Sequence, residues 1–365
     1  MDRIRSKKRM SKCIILGAGA SLGYDESLKG VDKPPKTNSL FKNGYLLRLF
    51  TQEKYPRLYE NLKSYQKTKY GLTSENLLQE FDVEAFLGWI GDRFEYLLAK
   101  LLADPFNFPI HERDELNSYQ TALGESWFYL FEIMGFYSRA YKHNSNSYAK
   151  LAKYCLNENY SVISLNYDVL FEQAIQTSGL KYDYKEKQSD AISIAKIHGS
   201  INWLNSGRGG FGFANVNSNE IFSRVTNIIF SNKIQIHAPQ IMELSDLPNL
   251  TTEKLLRSGT DYDIPILVPP IGKFKPYADS DFLNNVKKYA QNLFVNLDDL
   301  VLIGTTLRKE DTFLCNLVKS SVKQSTRIVI VTHNTDEVKK RLKEILGWDA
   351  IFELCHDFNE FASKL

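Results

Sequence analysis

Glycine-rich and polar residues follow several apolar runs of this sequence, and each group has a chemical use. The first group comes directly after the apolar run 13–16 and comprises Gly17, Ala18, Gly19, Ala20 and Ser21. Glycines let the backbone turn tightly, and the N–H groups of such a turn bind phosphate oxygens. The full dinucleotide fingerprint also needs a third glycine and an acidic residue about 20 positions later. Gly23 follows, but no strand ending in an acid does, so the stretch predicts either a nucleotide-binding loop or an ordinary strand-to-helix turn.

The next groups carry side chains for hydrogen bonding and proton transfer. Asn166 and Asp168 follow the run 161–165, and an amide both donates and accepts hydrogen bonds. Asp168 suits two roles, as a ligand for a bound sugar and as the N-cap of the helix predicted after it. His198 follows the run 193–197, and an imidazole exchanges protons near neutral pH. Taken alone, His198 is more typical of a buried histidine bonded to a backbone carbonyl.

Short apolar runs alternate with helical patterns, and this alternation must position the polar groups. Strands are predicted at 13–16, 161–165, 193–197, 300–303 and 327–331, and helices at 168–177, 277–294, 308–323 and 336–346. Parallel strands end at one edge of their sheet, where ligands bind in α/β proteins. We therefore predict an α/β fold, a Rossmann-like doubly wound parallel sheet with a large helical insertion and a small irregular module.

The domain organisation follows from the change of pattern along the chain. Residues 1–40 hold the first strand and the glycine loop, 41–160 the helical insertion, and 161–365 the rest of the sheet domain, with a small inserted module at about 205–276. Within the insertion, helical spacing runs over 75–103, 118–143 and 146–157, and the acids Glu80, Asp82 and Glu84 interrupt the first stretch. Its aromatic stripes favour a core or a subunit interface. The proline-bearing stretch 25–40 is predicted to be a loop that covers a ligand.

Composition excludes several classes of protein. The chain has 365 residues, of which 43% are hydrophobic, and a net charge of +3, which argues against disorder and against nucleic-acid binding. Its apolar runs fall short of the roughly 20 residues of a membrane span, and no signal-peptide pattern opens it. Four widely spaced cysteines have neither zinc-site nor disulfide-scaffold spacing. We expect a cytoplasmic protein without a metal or a membrane contact.

Four loops in order resemble the sirtuin family, in particular its bacterial, zinc-free, sirtuin-like branch. They are Gly-Ala-Gly-Ala-Ser at 17–21, Asn-Tyr-Asp at 166–168, His-Gly-Ser-Ile-Asn-Trp at 198–203, and Gly-Thr-Thr-Leu with Asp311 at 304–311. Lys-Ile-His-Gly-Ser at 196–200 is a signature of that branch, and Pro35, Thr37 and Leu40 fit its loop after the glycines. Protein-deacetylating sirtuins also carry two zinc-binding Cys-x-x-Cys pairs and a Phe-Arg pair, which this sequence lacks. The resemblance therefore implies a retained NAD pocket without the acyl-lysine cleft.

The resemblance implies an NAD hydrolase, often an antiphage effector, that releases ADP-ribose and nicotinamide from NAD as substrate. Asn166 and His198 would be catalytic, with Asp168 third, and Ser21 and the N–H groups of 18–21 would hold the diphosphate. Thr37 and Gly304 would line the pocket, Thr305 and Thr306 would face the adenosine ribose or phosphate, and Asn334 the adenine. The alternatives are a zinc-free deacylase or ADP-ribosyltransferase, and an NAD or ADP-ribose sensor without turnover. The family also implies a homo-oligomer and a HerA-type ring ATPase or an Argonaute as partner.

Overall fold

The computed structural model describes most of the chain. The described residues are 11–71, 80–141, 146–184, 190–208, 222, 239–247, 255, 261–268 and 280–365. The strands are β1 (Ser11–Leu16), β2 (Tyr160–Ser164), β3 (Lys181–Asp183), β4 (Ala191–Lys196), β5 (Gly199–Arg208), β6 (Gln240–Ile241), β7 (Asp261–Leu267), β8 (Leu297–Ile303), β9 (Arg327–Val331) and β10 (Phe352–Cys355). The helices are α1 (Ala18–Leu22), α2 (Leu40–Leu46), α3 (Pro56–Tyr70), α4 (Val83–Ala103), α5 (Ile110–Arg139), α6 (Ser147–Glu158), α7 (Leu170–Thr177), α8 (Asp281–Leu293), α9 (Thr312–Ser321), α10 (Thr335–Leu346) and α11 (Phe358–Ser363).

Seven strands form a central parallel sheet in the order β10-β9-β8-β1-β2-β4-β3. From β1 the chain moves first to β2 on one side, and later to β8 on the other side, so the direction of winding reverses between β1 and β8. This reversal is the topological switch point at which open α/β sheets bind ligands. The predicted Rossmann-like doubly wound parallel sheet is confirmed.

The register brings the carboxyl ends of five strands to one level. Leu16 pairs with Ser164 on one side and with Ile303 on the other. Ser164 in turn pairs with Lys196, and Ile303 with Val331. The residues that follow these strands therefore lie side by side along one edge of the sheet.

Burial on both faces explains why these strands are continuous apolar runs rather than alternating ones. Cys13, Ile14, Ile15 and Leu16 of β1 are each 0% exposed, because β1 lies in the middle of the sheet and helices cover both sides. The order of the strands makes β1 the element from which both halves of the sheet extend.

Helices α3, α4 and α5 of the insertion pack around aromatic side chains. Phe41 lies with its ring centroid 4.8 Å from that of Phe50 and 4.9 Å from that of Tyr129. Helix α4 begins at Val83, and Asp82 caps it by accepting a hydrogen bond from the N–H of Ala85 at 3.0 Å. The acids therefore mark the start of this helix, whereas residues 72–79 of the predicted stretch lie outside the described residues.

Helix α5 differs from its predicted bounds. It begins at Ile110 rather than at 118. The sequence did not predict its first turns because they are largely exposed and carry no apolar stripe. Its aromatic residues are core residues, and Trp127 and Phe128 are each 0% exposed. The Trp127 indole N–H donates to the Pro265 carbonyl at 3.1 Å and so ties the insertion to β7.

A small antiparallel sheet, in the order β6-β5-β7, lies beside the main sheet. It starts at Gly199, earlier than the predicted module at 205–276, because β5 follows His198 directly. The sequence of this module contains three short β-like runs, at 227–230, 234–237 and 264–268. The last of them overlaps β7, whereas the first two lie outside the described residues. Among the helices of the described ranges, none has the length and apolarity to cross a lipid bilayer.

Candidate functional site

A cavity of about 1990 Å³ opens at the carboxyl edge of the sheet, over the switch point. The predicted site residues that line it are Gly17, Ala18, Gly19, Ser21, Thr37, Asn166, Asp168, His198, Gly304, Thr305, Thr306 and Asn334. Ala20 is the exception, since it is 0% exposed and is not among the lining residues. The four loops noted in the sequence therefore meet at one cavity.

The glycine loop is packed tightly against the loop that follows β8. The N–H of Gly17 donates to the Ile303 carbonyl at 2.9 Å, and the N–H of Gly19 donates to the Gly304 carbonyl at 3.0 Å. A Cβ atom on Gly17 would lie 2.6 Å from the Gly304 oxygen, closer than two such atoms approach. The glycines here are therefore required by the contact between two loops, a reason that the sequence alone does not reveal.

The same contacts restrict the expected phosphate cradle. The N–H of Gly19 is bonded to Gly304, and the N–H of Ala20 donates to the Gly17 carbonyl at 2.9 Å. These two of the four N–H groups at 18–21 are thus engaged within the protein.

Asn166 is held by the glycine loop. Its side-chain nitrogen donates to the Gly17 carbonyl at 3.0 Å and to the Ser21 hydroxyl at 2.9 Å. Because a backbone carbonyl only accepts, the first bond fixes which end of the amide is the nitrogen. Both amide protons are used by these bonds, so the group that Asn166 offers to a ligand in the cavity is its carbonyl oxygen, Oδ1.

Ser21 is part of the support for Asn166. Its hydroxyl donates to Asp168 Oδ2 at 2.9 Å and lies 3.0 Å from the Tyr148 hydroxyl. With its single proton directed at Asp168, Ser21 accepts from both Asn166 and Tyr148. Ser21 is 2% exposed, and its side chain is engaged in positioning Asn166.

Asp168 lies at the base of this network. Its Oδ1 accepts a hydrogen bond from the N–H of Leu170 at 3.1 Å. The helix begins at Leu170 with Val169 as its N-cap, so the predicted N-cap, Asp168, lies one residue before the observed one, although Asp168 does satisfy an N–H of the first turn. Burial raises the pKa of Asp168, and the nearby Lys196 opposes that shift.

A buried ion pair fixes the backbone of the same loop at Asp168. Lys196 is 0% exposed, and its ammonium lies 2.9 Å from Glu172 Oε1. It also donates to the backbone carbonyl of Asp168, and Glu172 accepts from the Tyr184 hydroxyl at 3.0 Å. The partners of this ammonium and carboxylate compensate for their loss of water, and the Asp168 backbone is fixed as a result.

His198 reaches the cavity from the end of β4. Its Nε2 lies 2.8 Å from Asp311 Oδ2, and the side chain is 26% exposed. The backbone carbonyl of His198 accepts from the N–H of Val268 at 2.8 Å, which ties it to the small sheet. The alternative of a histidine bonded to a backbone carbonyl through its ring does not describe this contact, because the observed partner is a carboxylate.

Several charged residues that were not predicted as site residues also line the cavity, among them Arg308 and Glu84. Arg308, after β8, forms an ion pair with Glu84 in the first turn of α4. Burial raises the pKa of Glu84, although Arg308 acts in the opposite direction. Tyr167 lies near these groups and donates from its hydroxyl to the Val268 carbonyl at 2.6 Å. Glu84 was noted in the sequence only as an interruption of a helix, and no spacing relates it to Arg308.

The remaining predicted residues lie along the same wall. Thr305 accepts the N–H of Leu307 through its hydroxyl at 3.3 Å. Asn334 precedes α10, and its amide donates to Glu337 at 3.3 Å. Thr37 begins a short 3-10 turn in the loop after the glycines, and this loop forms one side of the cavity.

Comparison with known proteins gives no direct guide to this site. A scan against known protein families and a search of the curated proteins found no match. Within the described ranges, His, Cys, Asp and Glu residues form no group of three or more that could hold a metal ion. The chemistry of the site is therefore inferred from its own geometry and from the sequence resemblance.

Proposed function

We propose that the protein is a sirtuin-like NAD hydrolase that cleaves the bond between nicotinamide and ribose. The observation that supports this most is that Asn166 and His198, far apart in sequence, line one cavity with the glycine loop at the switch point. A glycine loop, an amide and an imidazole, in this order along the chain, are also the features that resemble the zinc-free bacterial branch of the sirtuins.

The reaction needs few catalytic groups from the protein. The carbon–nitrogen bond breaks with its electron pair moving to the pyridinium ring, so nicotinamide leaves as a neutral molecule and no general acid is needed. An oxocarbenium-like sugar then accepts water at the same carbon, as in glycoside hydrolysis. The attacking water loses one proton, and the products are ADP-ribose, nicotinamide and that proton.

The site residues suit these tasks. Asn166 Oδ1 would accept a hydrogen bond from a ribose hydroxyl or from the attacking water, because the amide protons are already used. His198 would take the proton from the water. Asp168 would act through Ser21 to hold Asn166, since its Oδ2 accepts from the Ser21 hydroxyl and its Oδ1 accepts from the N–H of Leu170. Thr305, Thr306 and Asn334 would face the adenosine half of NAD.

The test is the release of nicotinamide from NAD by the purified protein, measured by chromatography. His198→Ala should lower the rate by about 10²- to 10⁴-fold, the usual contribution of a positioned acid–base group. Asn166→Ala should also lower the rate strongly, because the ribose and the attacking water lose the oxygen that orients them. His111→Ala removes an exposed histidine of α5 and serves as the matched control. Circular dichroism and thermal unfolding would show that the variants fold, and full activity in both site variants would refute the proposal.

The proposed function includes regulation of the hydrolase activity. A hydrolase that was always active would exhaust the NAD of its own cell, so we expect activity to depend on assembly or on a trigger. The sequence resemblance suggests a homo-oligomer, an antiphage role, and a HerA-type ring ATPase or an Argonaute as the trigger protein. Mass photometry combined with the nicotinamide assay tests this, and a fully active monomer would contradict it.

A second candidate, transfer of ADP-ribose or an acyl group, is favoured by the extent of the cavity. The lining continues from the glycine loop to Tyr65, Lys69 and Trp89 of the insertion, and a cavity of about 1990 Å³ exceeds the roughly 300–1,000 Å³ of an ordinary ligand site. Mass spectrometry of an acetylated peptide incubated with NAD would reveal O-acetyl-ADP-ribose or a modified peptide. Calorimetry showing tight binding of NAD without nicotinamide release would instead identify a sensor.

A further inference from the structure

Asp311 connects the catalytic histidine to a helix terminus. Its Oδ2 lies 2.8 Å from His198 Nε2, and its Oδ1 accepts a hydrogen bond from the N–H of Leu314 at 3.2 Å, as the N-cap of α9. The side chain is 14% exposed. Because one oxygen is fixed by the helix and the other faces the imidazole, the direction of the carboxylate toward His198 is set by the fold.

This contact selects one tautomer of the imidazole. An ionised carboxylate only accepts hydrogen bonds, so a neutral His198 beside it must carry its proton on Nε2. The nitrogen without a proton is then Nδ1. We propose that Asp311 is a positioning residue that holds His198 in the Nε2–H tautomer, so that Nδ1 is the atom that takes the proton from the attacking water; the kinetic part of this inference rests on the proposed function.

Other charged and titratable groups line the same cavity as the pair, and the contacts that they make leave Asp311 as the partner of the imidazole. Glu84 of α4 is paired with Arg308, whose charge it offsets. Tyr167 donates its proton to the Val268 carbonyl. Glu310 is exposed beside Asp311, and Lys287 of α8 lies over the Phe313 ring at 5.9 Å. Among the described residues, Asp311 is the carboxylate in direct contact with the imidazole.

The proposal predicts the balance of protons in the reaction. As water attacks the sugar carbon, one O–H bond breaks and the proton moves to Nδ1, which makes His198 an imidazolium. Asp311 stabilises that cation from the opposite side of the ring through Nε2–H. The proton is then released to solvent, and the histidine returns to the same tautomer.

Three variants separate the functions of this carboxylate. Asp311→Asn retains a side-chain oxygen for the helix cap but removes the charge, and its amide can donate to Nε2, which favours the opposite tautomer. Asp311→Ser retains a good N-cap but is too short to reach the imidazole. Glu310→Gln removes an exposed carboxylate from the same loop and is the matched control.

The first readout needs no turnover. The full chain, labelled with ¹⁵N in its six histidines, would be studied by long-range ¹⁵N–¹H NMR at a pH where imidazoles are neutral, with His198→Gln to assign the signal. We expect the Nε2–H form in the wild type and in Glu310→Gln, the Nδ1–H form in Asp311→Asn, and a mixture of the two tautomers in Asp311→Ser. The same tautomer in all four proteins would overturn the inference.

The second readout is kinetic. Asp311→Asn should lower kcat for nicotinamide release by about 10²-fold with little change in KM, because the imidazolium that forms in the reaction has lost its anion. An unchanged kcat would overturn the kinetic part. A wild type with the expected tautomer but no hydrolysis of NAD would instead refute the proposed function, since the NMR result stands without it.

Discussion

Replacing Gly304 by alanine tests the contact on which the cavity is built. Gly304 has a φ of +62°, and a Cβ atom there would lie 2.1 Å from the Ala20 nitrogen and 2.4 Å from the Gly19 carbonyl carbon. Both neighbours are backbone atoms of a loop that is itself hydrogen-bonded to Gly304, so neither can move without breaking that contact. The substitution must therefore separate the two loops or strain them.

The loss of stability expected for Gly304→Ala has two contributions. A left-handed backbone costs an L-residue about 1–2 kcal/mol, and overpacking a tight site costs typically about 1–3 kcal/mol more. We expect Gly304→Ala to lower the free energy of unfolding by about 2–5 kcal/mol. Gly347 supplies the matched control, because its φ is +76° but a Cβ atom added there would meet no other part of the protein within 4 Å, so Gly347→Ala should cost only the backbone part.

Urea unfolding of the two variants, followed by tryptophan fluorescence and circular dichroism, measures both parts. The midpoint and slope of each transition give the free energy of unfolding. Subtracting the loss in Gly347→Ala from the loss in Gly304→Ala gives the contribution of the contact between the loops. Equal losses in the two variants would refute the tight packing of the glycine loop against the loop after β8.

Two further predictions concern buried charges. Lys196→Met should lower the free energy of unfolding by roughly 3–5 kcal/mol, because Glu172 is left buried without its cation; adding Glu172→Gln should recover part of it in urea unfolding, and an equal loss in the double variant would contradict the pairing. Burial raises the pKa of Glu125, which accepts the N–H groups of Arg57 and Leu58, from 4.5 to about 7. Between these two pH values the folded state holds a proton on Glu125 that the unfolded state has released. Glu125 therefore stabilises the fold fully below pH 4.5. This stabilisation, roughly 3 kcal/mol in all, is lost as the pH rises through about 7. Glu125→Gln should flatten the dependence of unfolding free energy on pH over that interval, and an unchanged slope would show that Glu125 does not titrate there.

The strands of the sheet could be predicted because burial on both faces leaves a simple signal. Each central strand is a short apolar run without alternation, and its polar neighbours begin where the strand ends. The start of α5 could not be predicted in the same way. Ile110 is 70% exposed, so the first turns of that helix carry no periodic apolar face, although Pro109 before them suits a helix start.

The candidate site was predictable at the level of loops but not at the level of contacts. Strand ends of one parallel sheet lie together whatever their side chains do, and so Asn166 and His198 could be assigned to one edge. The sequence could not show that the Ser21 hydroxyl faces Asp168, since a serine after a glycine loop is compatible with either a phosphate or a protein partner. Nor could it relate Asp311 to His198, because a contact across 113 positions depends on the order of the strands.

The residues that hold the two proposed catalytic side chains lie on opposite sides of the topological switch point. Asn166 is bonded to Gly17 and Ser21, in the loop after β1, whereas His198 is paired with Asp311, in the loop after β8. The distance between amide and imidazole therefore depends on how closely these two loops approach, and that approach is limited by Gly17 and Gly304 lying in contact. It follows that a folded Gly304→Ala protein should lose turnover beyond its loss of stability, because widening the gap between the loops moves the two supports apart.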